Sequence, residues 1–222
     1  MKLTVAMITM NEELAIAKVV GDIRRVAPDA EILVVDSSKD RTPEIAAELG
    51  CRVVRQFPPK GYGPAMDRAL RSASGDIVLT LDCDDTYPTE DIPRFVAAIE
   101  AGADLVDGNR IWRRPGAMPL ANFVANRAFG LAARVACGSR TMDLHSGMRA
   151  YRRTMLEALT WDPNGPALPV ELILLPQRLG YRVVELPIDY RERLGQTTLH
   201  RWDSTKWTFK RIWRVARQPR RD

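Results

Sequence analysis

Across the first 110 residues, short aliphatic runs take turns with helical patterns, and this alternation limits the possible folds more than any other feature. Lys2 to Ile8, Ile32 to Val35, Cys51 to Arg55, Asp76 to Leu81 and Ala103 to Asp107 read as strands. Between them, Glu12 to Val26, Pro43 to Leu49, Gly63 to Ala73 and Glu90 to Glu100 read as helices. In the first of these, Leu14, Ile16, Val19, Val20 and Ile23 recur at helical spacing. Strands joined one to the next by helices imply an α/β fold with a mostly parallel sheet covered on both faces. Ligands of such sheets sit beyond the carboxyl ends of the strands. Thr9–Glu12, Asp36–Asp40 and Asp82–Asp85 all fall there.

The second half has a different texture. Met118 to Cys137 is a long amphipathic pattern, Val170 to Leu179 a further helix, and Arg182 to Tyr190 a late strand. From Arg201 to Arg217, Trp202, Trp207, Phe209, Ile212 and Trp213 interleave with Lys206, Lys210, Arg211, Arg214 and Arg217. No repeat or linker divides the chain, and 222 residues, 45% of them hydrophobic, suit one domain with a single sizeable core. The formal charge of +5 permits an anionic partner without selecting one. Three scattered cysteines, Cys51, Cys83 and Cys137, build no disulfide framework, which points to the cytosol. Two histidines, His145 and His200, exclude a His-rich metal centre. The N-terminus has no cleavable signal pattern, and no stretch reaches the roughly 18 uninterrupted apolar residues of a membrane span. The expectation is a soluble or peripheral protein.

Asp82-Cys83-Asp84-Asp85 follows the apolar run Ile77 to Leu81. Two carboxylates at i and i+2 on a strand end can converge on one hard divalent cation and the diphosphate it carries, although an acidic turn before a helix looks the same. Asp36 ends the second strand, where a carboxylate suits a base or ribose; Thr42 before Pro43 resembles a helix cap. Lys60-Gly61-Tyr62-Gly63 opens a helix, which suits a phosphate, but it has too few glycines for a dinucleotide fingerprint. No Walker lysine motif, nucleophile elbow or zincin helix is present.

In order, these segments resemble the family 2 inverting glycosyltransferases of GT-A fold, and within them the dolichol- and polyprenol-phosphate mannose synthases. Thr9-Met10-Asn11-Glu12 matches the N-terminal "x-x-N-E". Val34 to Thr42 matches "VVDDGSxDxT" with Ser37 in place of the second Asp, and Lys60 to Ala65 matches "KGxGxA". Asp82-Cys83-Asp84 stands at the D-x-D, and Gly108-Asn109-Arg110 resembles "GSR". Asp143 to Arg149 resembles "DxxSGFR", and Arg193 to Thr197 the late "RxGxS". The chain departs from the pattern where Asp85, Thr86 and Tyr87 replace Gly, Gln and His, and where Thr197-Thr198 replaces Ser-Lys.

The resemblance implies a Rossmann-like nucleotide-binding half over residues 1–110, an acceptor half over 111–200, and a basic amphipathic helix over 201–222. It implies a donor such as GDP-mannose or a UDP-hexose, bound by Thr9, Asn11, Glu12, Asp36, Lys60 and Asp82. Asp82 and Asp84 would hold Mg²⁺ or Mn²⁺ on its diphosphate. Arg110, Arg149 and Arg193 would bind phosphate oxygens of a polyprenyl or dolichyl phosphate acceptor, with Asp82, Asp84, Arg110 and Arg193 as the catalytic set. An anionic lipid phosphate needs little help from a base; Glu171 is the one candidate, beside a plainer reading as helix-surface decoration. The implied location is cytoplasmic, peripheral at an anionic membrane face, with the C-terminal helix in the headgroup region. A soluble acceptor is the alternative. A nucleic-acid-binding module would explain the basic, Trp-rich end but leaves the acidic cluster unexplained, so no nucleic acid is expected. A nucleotidyltransferase would show a basic Gly-rich loop where Met10-Asn11-Glu12-Glu13 is acidic.

Overall fold

A computed structural model describes residues 1–194 and 201–220, without the side chains of 201–203. In chain order the elements are β1 (Leu3–Thr9), α1 (Ile16–Val26), β2 (Glu31–Asp36), α2 (Thr42–Glu48), β3 (Arg52–Arg55), α3 (Tyr62–Ser72) and β4 (Ile77–Thr80). A short 3-10 turn then leads into α4 (Ile92–Glu100), β5 (Leu105–Asn109), α5 (Leu120–Cys137), β6 (Arg149–Arg152) and α6 (Arg153–Ala158). α7 (Leu168–Arg178), β7 (Val183–Pro187) and α8 (Arg201–Ala216) complete the chain.

The six strands expected from the sequence are present, and β6 joins them. The spatial order is β3-β2-β1-β4-β6-β5-β7. The first four are parallel, as expected, and β7 runs parallel to β5. β6 is antiparallel to both β4 and β5, so those two strands are not neighbours. Side chains alternate across the sheet and build two cores. Val5, Met7, Ile32, Val34, Ile77 and Leu79 face α1, α2 and α4. Ala6, Leu33, Val35 and Val78 face α3, α5, α7 and α8.

The first helix begins at Ile16 rather than Glu12; residues 13–15 form a turn, and the Glu12 N–H goes to Thr42 Oγ1. α5 stops at Gly138, whose left-handed φ of 70° lets its N–H return to Arg134 O at 3.0 Å. α7 is apolar nearly all round and buried, and α8 packs against it and α5, sinking Thr208, Arg211, Ile212 and Val215. The apolar stripe expected on α8 therefore splits, with Ile212 inside and Phe209 and Trp213 outside. The side chain of Trp202, which belongs to the same stripe, and the motif residues Gly195 to Thr198 lie outside the described residues. All three cysteines are buried thiols. Among the described residues, no helix is long and apolar enough to cross a membrane.

Candidate active site

At the carboxyl ends of β1 and β2 the two loops are sewn together. The pairing of these strands sets Thr9 opposite Asp36, and Thr9 Oγ1 donates to Asp36 Oδ1 at 2.7 Å. Asp36 is fully buried and also accepts from Ser38 N at 3.1 Å, Ser38 Oγ at 2.6 Å and the Arg55 guanidinium. Asn11 adopts the left-handed φ of 62° that its short amide tolerates. Its N–H donates to Ser38 Oγ at 2.8 Å and its Oδ1 accepts from Lys39 N at 2.9 Å. Thr42, expected as a helix cap, instead accepts from Glu12 N at 2.9 Å and donates to Asp40 Oδ1 at 2.6 Å.

β4 delivers the acidic turn. Asp84 is buried; its Oδ1 accepts from Thr86 N at 3.1 Å and Thr86 Oγ1 at 2.6 Å, while Oδ2 meets the Arg193 guanidinium. Asp85 holds a φ of 62° where the resembled pattern has glycine, and Lys18 Nζ anchors it at 2.7 Å. Asp82 is half-buried against Gly147, where a Cβ would lie 2.8 Å from its Oδ2, so a larger residue would push the carboxylate aside. Tyr87 OH accepts from Gly147 N at 2.7 Å and from Arg110 Nη1 at 3.4 Å, which fixes the glycine segment to the acidic turn. Residues 191–194 strap across the turn, with Arg191 N on Thr86 O and Leu194 N on Asp84 O, both at 2.9 Å. Arg193 also lies 3.7 Å from Glu12 Oε1.

Burial, reinforced by neighbouring Asp84, pushes the Asp82 carboxyl up to about 7. Burial also raises Glu12 to about 7, against the pull of Arg193. The site thus holds two carboxyls short of positive charge, Asp82 in the turn and Glu12 in the loop after β1. Hard oxygen donors of this kind fit a divalent ion that shares its coordination with substrate phosphates. Among the described residues no three His, Cys, Asp or Glu side chains gather into a ready metal cage. Asp82 and Asp84 with a diphosphate are the donor set that fits.

A cleft of about 480 Å³ opens over these groups. Of the expected residues, Thr9, Glu12, Lys60, Asp82, Asp84 and Arg193 line it. Asn11 and Asp36 do not; their hydrogen bonds tie the loops after β1 and β2 to each other. Arg110 is also absent from the wall. It is buried in a two-pronged pair with Asp143, Nε to Oδ2 and Nη2 to Oδ1 each at 2.8 Å, under Tyr190, and it borders a second hollow of about 360 Å³ with Arg113 and Arg114.

Two expectations are corrected outright. Arg149, expected on a phosphate, is only 1% exposed and sits opposite Asp107 in the β5–β6 pairing. Its guanidinium donates to Asp107 Oδ1 at 2.5 Å, to Leu144 O at 3.1 Å and to Pro169 O, which leaves it no substrate to meet. Glu171 is neither a base at the cleft nor surface decoration: it is buried on α7, paired with Arg211 and with Arg214 at 3.1 Å. The far wall was missed. Gly165, Pro166, Ser204 and Trp207 line it, and the indole presses so closely on Gly165 that a Cβ there would lie 2.5 Å from the ring. The tryptophan-rich terminus was visible in the sequence, but nothing in its spacing tied Trp207 to a strand end more than 120 residues away.

Residues 4–160 match the family model described as glycosyl transferase family 2. The chain is 45% identical over 198 residues to a dolichyl-phosphate hexose transferase of Haloferax volcanii, covering 89% of this chain and 86% of that one. It is 30% identical over 208 residues to an undecaprenyl-phosphate mannosyltransferase of Micrococcus luteus, covering 86% and 84%. Glucosyl-3-phosphoglycerate synthase of Mycobacterium tuberculosis, solved with Mn²⁺, uridine diphosphate and glucosyl-3-phosphoglycerate, superposes with a TM-score of 0.77 at 24% identity, over 98% of this chain and 81% of that one. That likeness is one of fold.

Proposed function

Because this chain belongs to glycosyl transferase family 2 and is a glycosyltransferase with the GT-A fold, we propose that it moves a hexose from a nucleoside-diphosphate sugar to a polyprenyl or dolichyl phosphate. The observation that carries this reading is the convergence of Glu12, Lys60, Asp82, Asp84 and Arg193 on one cleft beyond the parallel strands. The donor, GDP-mannose or a UDP-hexose, lies along the loops after β1 and β2, with its diphosphate at the acidic turn. Asp82 and Asp84 hold Mg²⁺ or Mn²⁺, which when bound neutralises charge on the departing nucleotide. Lys60, at the start of α3, and Arg193, against Asp84 and Glu12, supply further positive charge to the same oxygens. The lipid-phosphate acceptor rests on the names of the two relatives matched over more than four-fifths of this chain.

In the transfer, an acceptor phosphate oxygen bonds to the anomeric carbon as the bond from that carbon to the diphosphate oxygen breaks. One displacement inverts the centre. A phosphate monoester is already anionic near neutral pH, so the step needs no base, and the burial of Glu171 in an ion pair removes the one candidate.

The test is transfer of label from a panel of nucleotide sugars to a short polyprenyl phosphate, followed by extraction into organic solvent. We expect product with Mg²⁺ or Mn²⁺ and none with EDTA. Asp84→Asn keeps an oxygen for Thr86 and so the fold, but should lower turnover by about 10²–10³-fold. Undiminished transfer in EDTA would refute the metal, and no labelled lipid from any donor would refute the acceptor.

A further inference from the structure

Residues 161–166 belong to no helix or strand, yet they are wedged between two helices that line the cleft. On one side is α3, where Gly63, Asp67 and Arg71 are spaced so that they share a face. Trp161 Nε1 donates to Asp67 Oδ1 at 2.8 Å, and the Arg71 guanidinium lies 4.6 Å from the centre of the Trp161 ring. At the start of the helix, a Cβ on Gly63 would strike the carbonyl oxygens of Pro163 and Gly165. Glycine there lets the segment rest on the helix backbone.

On the other side is α8. Arg211, buried and paired with Glu171, donates to Asn164 O and lies 3.4 Å from Asp162. The Trp207 indole covers Gly165, whose φ of 80° belongs to the left-handed region. Lys210 Nζ, 4.0 Å from the centre of the indole, steadies it in turn. Helix, segment and indole thus form three layers in contact, with a glycine at each boundary. Packing this close passes a displacement of one layer on to the next.

The start of α3 is where that transmission matters. Lys60, Gly61 and Tyr62 line the cleft there. Gly61 opens the helix at a φ of 95°, no side chain caps the first turn, and no acid lies in it. Its N–H groups therefore present the positive end of the helix to an anion. We propose that Trp207 is a positioning residue: by pressing Gly165 onto Gly63 it fixes the start of α3, and Lys60 with it, against the diphosphate of the donor. This role presupposes the nucleoside-diphosphate reading of the cleft, and it falls to a residue that no motif in the sequence marks. Stacking of the indole on a base or sugar is a poorer role, since Gly165 and Lys210 already stand against the ring.

The test uses the full chain, with calorimetry for UDP and GDP in Mg²⁺ and displacement of the tighter one by its nucleoside. Trp207→Ala should weaken the nucleoside diphosphate about tenfold and leave the nucleoside nearly unchanged. Trp207→Phe, which keeps an aromatic face on Gly165, should recover most of the loss. In a Lys60→Ala background, removing the indole should cost little more, because the two residues act on one contact. Should Trp207→Ala unfold, Trp207→Leu gives the same comparison with more of the volume kept. A merely structural role would lower the melting temperature and weaken both ligands alike. That result, additive losses in the double variant, or unchanged diphosphate affinity without the indole would overturn the proposal while the cleft stands as a nucleotide site. No binding of either diphosphate to the wild type would remove the reading of the cleft, and the role of Trp207 with it.

Discussion

His145 occupies a position where its proton inventory can be worked out from neighbours. Thr208 Oγ1 spends its hydrogen on Ser204 O at 2.7 Å, so His145 Nε2, 2.8 Å away, must be the donor between them. Nδ1 is then a bare acceptor, buried and without a hydrogen-bond partner. Burial first, and then the field of Arg110, lowers the imidazole from 6.5 to about 4. Between those two values the unfolded chain takes up a proton that the folded one refuses, so stability rises with pH across that window and is complete above it. The difference corresponds to on the order of 3 kcal/mol. Asp82 and Glu12, raised to about 7, act in the opposite sense over the same range, so the test is a difference: from pH 7 down to pH 4.5 the urea midpoint of the wild type should lose ground to that of His145→Gln, and parallel curves would show that His145 does not titrate on unfolding. Asp85 teaches a related lesson: a departure from the resembled pattern on paper keeps its backbone conformation in fact, because Asp can enter the left-handed region that glycine favours.

At the scale of elements, α8 is held by charge as well as by apolar packing. The Glu171 carboxylate on α7 meets Arg211 and Arg214 on α8, and Arg211 also reaches Asn164 O and lies 3.4 Å from Asp162. Breaking a buried pair leaves an uncompensated charge, which costs about 3–5 kcal/mol. Glu171→Gln should lose stability of that order in denaturant titration and raise KM for the donor, since α8 carries Ser204 and Trp207 to the cleft. An unchanged midpoint would mean the pair is solvated. The same physics explains why β6 was illegible. Arg149-Ala150-Tyr151-Arg152 has a cation at each end of four residues and reads as loop. Only Asp107, 42 residues earlier, makes it a buried strand. The long elements, by contrast, were visible because their periodicity is local: α3, α4, α5 and α7 begin and end within two residues of the patterns that announced them.

For the molecule as a whole, the parallel half of the sheet and the three acidic or polar strand ends could be read directly, because a βα alternation fixes where the carboxyl ends gather. What could not be read was which side chains those ends spend on themselves. Asp36 and Asn11 look like ligand contacts in a linear motif, and the fold spends their side-chain oxygens on joining the loops after β1 and β2. The insertion of β6 between β4 and β5 carries a further consequence, which concerns time. A ribosome releases β4 some seventy residues before the strand that covers its outer edge, and Gly147, which closes on Asp82, arrives with that strand. Until then the nascent sheet ends in an open hydrogen-bonding edge. Residues 1–110, however complete their nucleotide-binding motifs, should therefore fail to fold alone. Expressed as a fragment they should aggregate or give exchange-broadened NMR spectra, and a well-dispersed spectrum would show that the edge is tolerated. The cleft is thus assembled late in the birth of the chain, from a turn that waits for its last wall.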